Sequence, residues 1–173
     1  MKKFTILTAL LFLFGCQALH NNNSDIIESS TQMPKSLSHN NIVGGVETVY
    51  VPPFEMPFQA RMDTGAETSS IDAQNIIPFE RDGEKWVSFN ITNRKNGQTR
   101  RFEKPIVRKT NIVRTKQGEK RYVVHFDLKI GEEIIDTEFT LNDRSKFEYQ
   151  VLIGRNILNG RFIIDPSIEN TLH

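Results

Sequence analysis

Cysteine occurs once in the 173 residues, and that scarcity removes whole classes of fold. A single thiol closes no intramolecular disulfide, so the chain is not a disulfide-stapled scaffold. Paired-thiolate zinc sites are excluded as well. The four histidines, His20, His39, His125 and His173, form no His-Glu-x-x-His pair, and His125, inside an apolar strand run, is expected to be a packed strand residue rather than a ligand. A Gly-x-x-x-x-Gly-Lys-[Ser/Thr] phosphate loop is missing too. No metal or cofactor is therefore expected. Charge of one sign is also lacking, with 22 Lys+Arg against 21 Asp+Glu, and nothing in that balance suggests a nucleic-acid partner. Arg94-Lys95 and Arg100-Arg101 are expected on a solvated hairpin surface rather than in a phosphate patch. No apolar run reaches the ~20 residues that a permanent membrane-spanning helix needs.

What is present at the start is a positive Met1-Lys2-Lys3, an apolar stretch from Phe4 to Phe14 broken only by Thr5 and Thr8, and then Gly15-Cys16. That order describes a secretory signal over residues 1–15. Its removal takes away Lys2 and Lys3 and moves the net charge from +1 to −1. Leu13-Phe14-Gly15-Cys16 resembles the lipobox of bacterial lipoproteins, with Phe14 bulkier than the usual residue there. The resemblance implies that Cys16 carries lipid, becomes the mature N-terminus and anchors the protein to a membrane. Gln17 stands where an aspartate would favour the inner membrane, which points to the outer membrane, facing the periplasm. The alternative is a general signal peptide in which Cys16 is incidental. Residues 16–41 follow, with Asn21-Asn22-Asn23, Ser29-Ser30-Thr31 and Asn40-Asn41. So polar a stretch cannot bury enough surface to offset its ordering entropy, and it is expected to be a flexible tether. Residues 42–173 remain as one folded domain.

That domain has the pattern of β structure. Gln59 to Met62 leads into Asp63, and Trp86 to Ile91 alternates with period two. Ile106-Val107, Tyr122 to Ile130 and Ile134 to Leu141 are rich in β-branched and aromatic residues. Asp82-Gly83, Asn96-Gly97, Gln117-Gly118 and Gly131-Glu132 separate these runs, and Asp-Gly or Asn-Gly between apolar runs is a strong hairpin signal. Only Arg155 to Leu158, after Gly154, has the look of a helix. Many short strands at close spacing predict an all-β barrel or sandwich.

Two segments carry chemistry. Ala60-Arg61-Met62-Asp63-Thr64-Gly65-Ala66-Glu67-Thr68-Ser69-Ser70 runs a strand into an aspartate, then a tight Thr-Gly-Ala turn. Aspartic proteolysis needs two carboxylates close enough to share a proton. Glycine lets such a loop bend its N–H groups toward the carboxylate, and the threonine hydroxyl can brace it. The second segment is Val151-Leu152-Ile153-Gly154-Arg155-Asn156-Ile157-Leu158. Each alone fits an ordinary turn or a buried strand. Together, in this order and spacing, they resemble the retropepsin family, which implies a small closed barrel with one short C-terminal helix. The resemblance makes Asp63 the catalytic carboxylate, with Thr64, Gly65 and Ala66 as its loop and Ile153-Gly154 packed beneath. Arg155 opens the helix and is expected to be buried in a pair with Glu67. It narrows to a bacterial group of retropepsin-like domains historically labelled ATP-dependent zinc proteases. The further matching residues are Asp72-Ala73, Arg81 to Val87, Lys109-Thr110, Leu141 to Arg144 and Phe162 to Pro166. Glu67 stands at a position more often basic in that group, and Gln150 at a usual proline. Nothing in this chain supports the zinc or ATP label.

Ile42-Val43-Gly44-Gly45 copies the activated N-terminus of trypsin-like serine proteases, but the serine context that chemistry needs is missing. Only one Asp-Thr-Gly occurs, and Asp165-Pro166-Ser167 lacks the turn glycine. The resemblance therefore implies a homodimer in which two copies of Asp63 meet across a two-fold axis. One would polarise the scissile carbonyl of an extended peptide while the other activates water. Trp86 to Phe102, with Asn96-Gly97 at its tip, is the candidate flap, and the hairpin around Gly118 is the alternative. The competing function is a non-catalytic module that keeps the fold as a peptide- or envelope-binding surface.

Overall fold

The computed structural model of the protein describes residues 41–112 and 119–172. The signal segment, Cys16, the tether before residue 41 and the Gln117-Gly118 turn lie outside the described residues.

Eleven strands and one short helix follow in chain order among the described residues: β1 (Ile42–Tyr50), β2 (Phe58–Met62), β3 (Ser69–Asp72), β4 (Gln74–Arg81), β5 (Glu84–Thr92), β6 (Thr99–Pro105), β7 (Arg108–Ile112), β8 (Glu119–Ile130), β9 (Glu133–Asn142), β10 (Val151–Ile153), α1 (Arg155–Leu158) and β11 (Ile163–Glu169). The expected all-β class and the single helix are both present. One sheet has the order β11-β1-β2-β10-β3-β9-β8-β7, and β1 also pairs with β8 through Val49↔Ile130 and Tyr50↔Lys129. That last pairing bends the sheet back on itself into a barrel. Closure removes edges that would otherwise expose unpaired backbone.

A second, three-stranded sheet, β4-β5-β6, covers the barrel. Its central strand buries Val87, Phe89 and Ile91 at 0–1% exposure. Phe89 stacks on Phe102 at 5.6 Å between centroids, and both meet Phe126 edge-on, which then meets Phe139. Such edge-to-face contacts add about 0.5–1.5 kcal/mol each beyond the area buried. Asp82 and Gly83 both have positive φ, at 52° and 79°, as the Asp-Gly hairpin pattern predicts. Ile106-Val107, expected as strand, instead carries the chain between sheets. Ile106 N–H still reaches Lys85 O in the small sheet, while Val107 N–H reaches Val123 O in the barrel.

The central device is the placement of β10. It lies between β2 and β3, parallel to β2 (Val151↔Ala60, Ile153↔Met62) and antiparallel to β3 (Leu152↔Ser70). A strand from the far end of the sequence thus separates the two strands that flank the Asp63 turn. Ile153 and Gly154, at the end of that strand, lie directly against the turn.

The copy of a serine-protease N-terminus turns out to be the inside of β1. A Cβ on Gly44 would sit 2.4 Å from Ile168 O and 2.7 Å from Glu169 Cα, so only glycine allows β1 to pack against β11. Nearby Glu47 is fully buried, which its sequence context gave no reason to expect. Its carboxylate accepts from Gly44 N–H at 2.6 Å, Thr171 Oγ1 at 2.6 Å, Thr171 N–H at 2.9 Å and Leu172 N–H at 3.2 Å. Counting the longer Thr171 N–H contact to the other oxygen at 3.1 Å, five donor contacts hold this carboxylate, and the four from Thr171 and Leu172 tie those residues to β1. A buried charge is tolerated only with hydrogen bonding of this density.

Candidate active site

Asp63 follows the last residue of β2, and its main-chain N–H donates to Ile153 O at 2.9 Å. The chain then turns within three residues. Asp63 Oδ1 accepts from Gly65 N–H at 2.8 Å and Ala66 N–H at 3.2 Å, while Oδ2 has no partner among the described residues. One oxygen is thereby fixed by the loop and the other left open for a proton, a water or a second carboxylate. Asp63 borders an open cleft of about 450 Å³ lined by Gly45, Arg61, Met62, Asp63, Thr64, Ile164 and Pro166.

The loop is bolted to the start of α1. Ala66 O accepts from Arg155 N–H at 2.9 Å and Glu67 O from Asn156 N–H at 3.1 Å. Ser69 Oγ accepts from Gly154 N–H at 3.0 Å and donates to Asn156 Oδ1 at 2.8 Å, which also takes Ser69 N–H. Asn156 Nδ2 continues to Thr137 Oγ1 and Glu138 O. Ser69 and Asn156 are thus structural members of the site that sequence reasoning quoted without a role. A Cβ on Gly154 would lie 2.8 Å from Thr68 C and 3.0 Å from Ala66 O, both backbone atoms that cannot swing away. Gly154→Ala is therefore expected to cost about 1–3 kcal/mol by overpacking. It should push the Asp63 loop outward, read as a lower melting temperature together with a changed Asp63-loop signal in NMR.

The Glu67–Arg155 pair is not formed. Arg155 is only half-buried, and its Nη1 donates to Thr64 O and Gly65 O, both at 3.1 Å. Glu67 points to solvent. The physical reason is local: the turn brings two unpaired carbonyls over the first turn of α1, and they satisfy the guanidinium before a side chain can. Arginine braces the loop, but through main chain rather than through a carboxylate. Thr64 and Gly65 are exposed, Ala66 is partly exposed, and Ile153 and Gly154 are buried.

The β5–β6 hairpin does not have the freedom expected of a flap. Its tip is at the end of the barrel where β3 finishes and β10 begins, opposite the end where Asp63 meets Ile153. Asn93, 1% exposed, donates to Met56 O at 3.0 Å. Arg94 N–H donates to Gln150 Oε1 at 2.8 Å. The Arg94 guanidinium reaches Asp72 Oδ2 and Arg144 O, each at 2.6 Å, and Phe147 O at 2.8 Å. Arg94 thus anchors the hairpin, although 36% of its side chain is exposed. The other candidate hairpin, β7–β8, has its base beside the Asp63 loop, where Arg108 Nη2 donates to Thr68 Oγ1 at 3.2 Å and to Glu138 Oε2 at 2.6 Å. His125 is on a strand but faces outward, 3.0 Å from Asp136. Alternation around buried Val124 and Phe126 puts it on the outer face. No three His, Cys, Asp or Glu residues gather in a metal-holding arrangement among the described residues.

A family model described as the retropepsin-like aspartic endopeptidase RimB matches residues 42–172. Relatives named probable α-L-glutamate ligase are 37% identical over 136 residues in Desulfotalea psychrophila and 39% identical over 135 residues in Parasynechococcus marenigrum. Each alignment covers 76% of this chain but only 29% of the relative. The chain thus spans less than a third of the length of these relatives. Among solved structures, a Legionella pneumophila protein of unknown function is 29% identical with a TM-score of 0.65, covering 78% of this chain and 99% of its own. With the Asp63 turn, the interposed β10 and a family match across the whole barrel, the chain belongs to the RimB-like family of retropepsin-like aspartic endopeptidases.

Proposed function

We propose that the protein is an aspartic endopeptidase whose catalytic pair is Asp63 from each of two copies. The observation that carries this is the asymmetric seating of the carboxylate, with Oδ1 held by two N–H groups and Oδ2 open. A lone carboxylate cannot both polarise a carbonyl and deprotonate water, so the chemistry requires a second Asp63 across a two-fold axis. One carboxyl donates a hydrogen bond to the scissile carbonyl. The other takes a proton from water, whose oxygen attacks the carbonyl carbon, and the proton passes on to the leaving nitrogen.

The relatives' name suggests a substrate. This chain matches only 29% of those relatives' length, so the ligation they are named for needs residues beyond the matched part. A hydrolytic segment in the same polypeptide as such a ligase suits α-linked glutamyl peptides, the product of that ligation. Arg61 in the cleft and Arg108 and Arg155 against the loop give the surroundings a basic character that fits an acidic chain. The test is incubation of the purified protein with α-linked oligoglutamate and with a neutral peptide of equal length, products read by mass spectrometry. Cleavage of neither, at concentrations where sedimentation shows a dimer, would sink the peptidase assignment.

The place of action is proposed as the periplasmic side of the outer membrane, through lipid on Cys16. Cys16→Ser is expected to shift the protein from the membrane pellet to the soluble fraction, because residues 17–41 are too polar to hold a bilayer alone. Unchanged sedimentation with membranes would exclude the lipid anchor.

A further inference from the structure

Arg61 lines the same cleft as Asp63, and the fold gives its guanidinium nothing to bind. Its neighbours along β2, Ala60 and Met62, turn into the core at 0% and 5% exposure, so Arg61 stands on the opposite, open face. Asp63 continues the strand, its N–H still bonded across to Ile153 O. Side chains alternate along an extended chain, so Arg61 and Asp63 share a face, with Cα atoms about 6.6 Å apart. The guanidinium is seated inside the cleft. A Cβ on Gly45 would lie 3.7 Å from Arg61 Nη1 and 3.4 Å from Pro166 Cα, and both Gly45 and Pro166 line the cleft.

The other arginines beside the loop are engaged. Arg108 is taken by Glu138 and Thr68, and Arg155 by the carbonyls of Thr64 and Gly65. Arg61 has neither a hydrogen bond nor an ion pair among the described residues. The sheet offers it no acid, because its partners in register are Val46 on β1 and Leu152 on β10. Glu169 stands opposite Val46, two strands away, which at about 4.8 Å per strand puts the two backbones roughly 9–10 Å apart. Asp63 spends Oδ1 on Gly65 and Ala66 and makes no ion pair with Arg61. The cleft therefore presents a complete, unpaired guanidinium fork one side-chain repeat from the carboxylate that does the chemistry. That fork matches a carboxylate in bidentate geometry.

We propose that Arg61 is the specificity-determining residue of the Asp63 cleft and takes an acidic side chain of the peptide next to the scissile bond. The inference rests on the pair of Asp63 carboxylates proposed above and extends it. A two-fold axis that brings two copies of Asp63 together also brings two copies of Arg61, one on each side of the bond to be cut. Recognition is therefore two-sided, with one carboxylate on the residue before the cut and another on the residue after it. Arg108 and Arg155 add only a general positive field, whereas Arg61 sets the requirement residue by residue.

The experiment uses the full chain carrying Asp63→Asn, so that bound peptide is not cut, and the unsubstituted chain for rates. The probes are octapeptides of alanine and serine, labelled at the N-terminus and amidated at the C-terminus, with Glu-Glu, Glu-Gln, Gln-Glu, Gln-Gln or Lys-Lys at the centre. By fluorescence anisotropy each glutamate should improve binding by at least about five-fold, so that Glu-Glu exceeds Gln-Gln by about 25-fold or more. In the same Asp63→Asn background, Arg61→Gln should bring all five peptides within about two-fold. Arg61→Glu should reverse the order and place Lys-Lys above Glu-Glu, a readout that a merely structural role would not move. Each comparison is made between peptides on one protein, and either variant decides alone if the other does not fold. Equal binding of all peptides overturns the proposal, as does a Glu-Glu preference that survives in a folded Arg61 variant. A preference exerted at only one of the two central positions overturns it as well. Acid-selective binding that depends on Arg61, in a protein that never cleaves, would remove the peptidase function and leave Arg61 in place. Cleavage of all five peptides at equal kcat/KM would do the reverse.

Discussion

Asp63→Asn is expected to lower peptide hydrolysis by at least about 10³-fold while leaving the melting temperature nearly where it was. The two effects separate because the residue has two unlike jobs. Its structural job is done by Oδ1, which accepts the Gly65 and Ala66 N–H groups, and an asparagine carbonyl oxygen can accept both. Its chemical job needs a proton that can be held or released, and an amide does neither at ordinary pH. The substitution also removes the repulsion between two carboxylates brought together in a dimer, so association should be as strong as before or stronger. The assay is initial rate on an α-linked glutamyl peptide, with sedimentation velocity on the same samples. A substituted protein that keeps a tenth or more of the rate would show that Asp63 is not the catalytic acid.

Asp63 could be found from the sequence because the turn it occupies is a local object. Strand, aspartate, Thr-Gly-Ala and small hydroxyl residues are contiguous, and the glycine has a local reason to be there. The strands with period-two alternation and the Asp82-Gly83 turn were legible for the same reason, as was the helix from Arg155 to Leu158, which the structure reproduces residue for residue. Strands β6 and β7 were legible only through the turns beside them, Asn96-Gly97 and Gly118. Thr99–Pro105 and Arg108–Ile112 are polar segments held by pairing with β5 and β8, and a strand defined by its neighbour leaves little pattern of its own.

Charged partners were the least legible part. Glu67 and Arg155 were matched through the family resemblance, but the structure gives the arginine to two carbonyls of the turn. Glu47 has no sequence signature, because its donors come from the other end of the chain. Arg94 beside Lys95 has the composition of a solvated loop. Only the topology, which ends β3 and begins β10 beneath that loop, reveals the acid waiting there. An ion pair between distant segments is decided by the fold, so it cannot be extracted from spacing.

Arg94→Leu is accordingly expected to be the most destabilising of the exposed-arginine substitutions, contrary to what its loop position suggests. Asp72 is 5% exposed at its side chain, and among the described residues Arg94 is the one charged side chain that hydrogen-bonds to it. Removing one partner of a buried pair leaves an uncompensated charge, at a cost of about 3–5 kcal/mol. Because 36% of the Arg94 side chain is open, water can replace part of the lost interaction, which places the effect near the lower end, about 3 kcal/mol. The carbonyls of Arg144 and Phe147 lose a donor as well. For a domain of this size the melting temperature should fall by roughly 10 °C. Arg155→Leu deletes two side-chain bonds to solvent-accessible carbonyls and should cost about 1–2 kcal/mol. Asp72→Asn provides the reciprocal check. All four groups around Asp72 are donors, so the amide nitrogen of asparagine must face one of them whichever way it is turned. It should therefore lose nearly as much as Arg94→Leu, and the double substitution should lose less than the sum of the two. Thermal melts of these four proteins settle the order. If Arg94→Leu melts with or above Arg155→Leu, the clamp on Asp72 is not holding the hairpin.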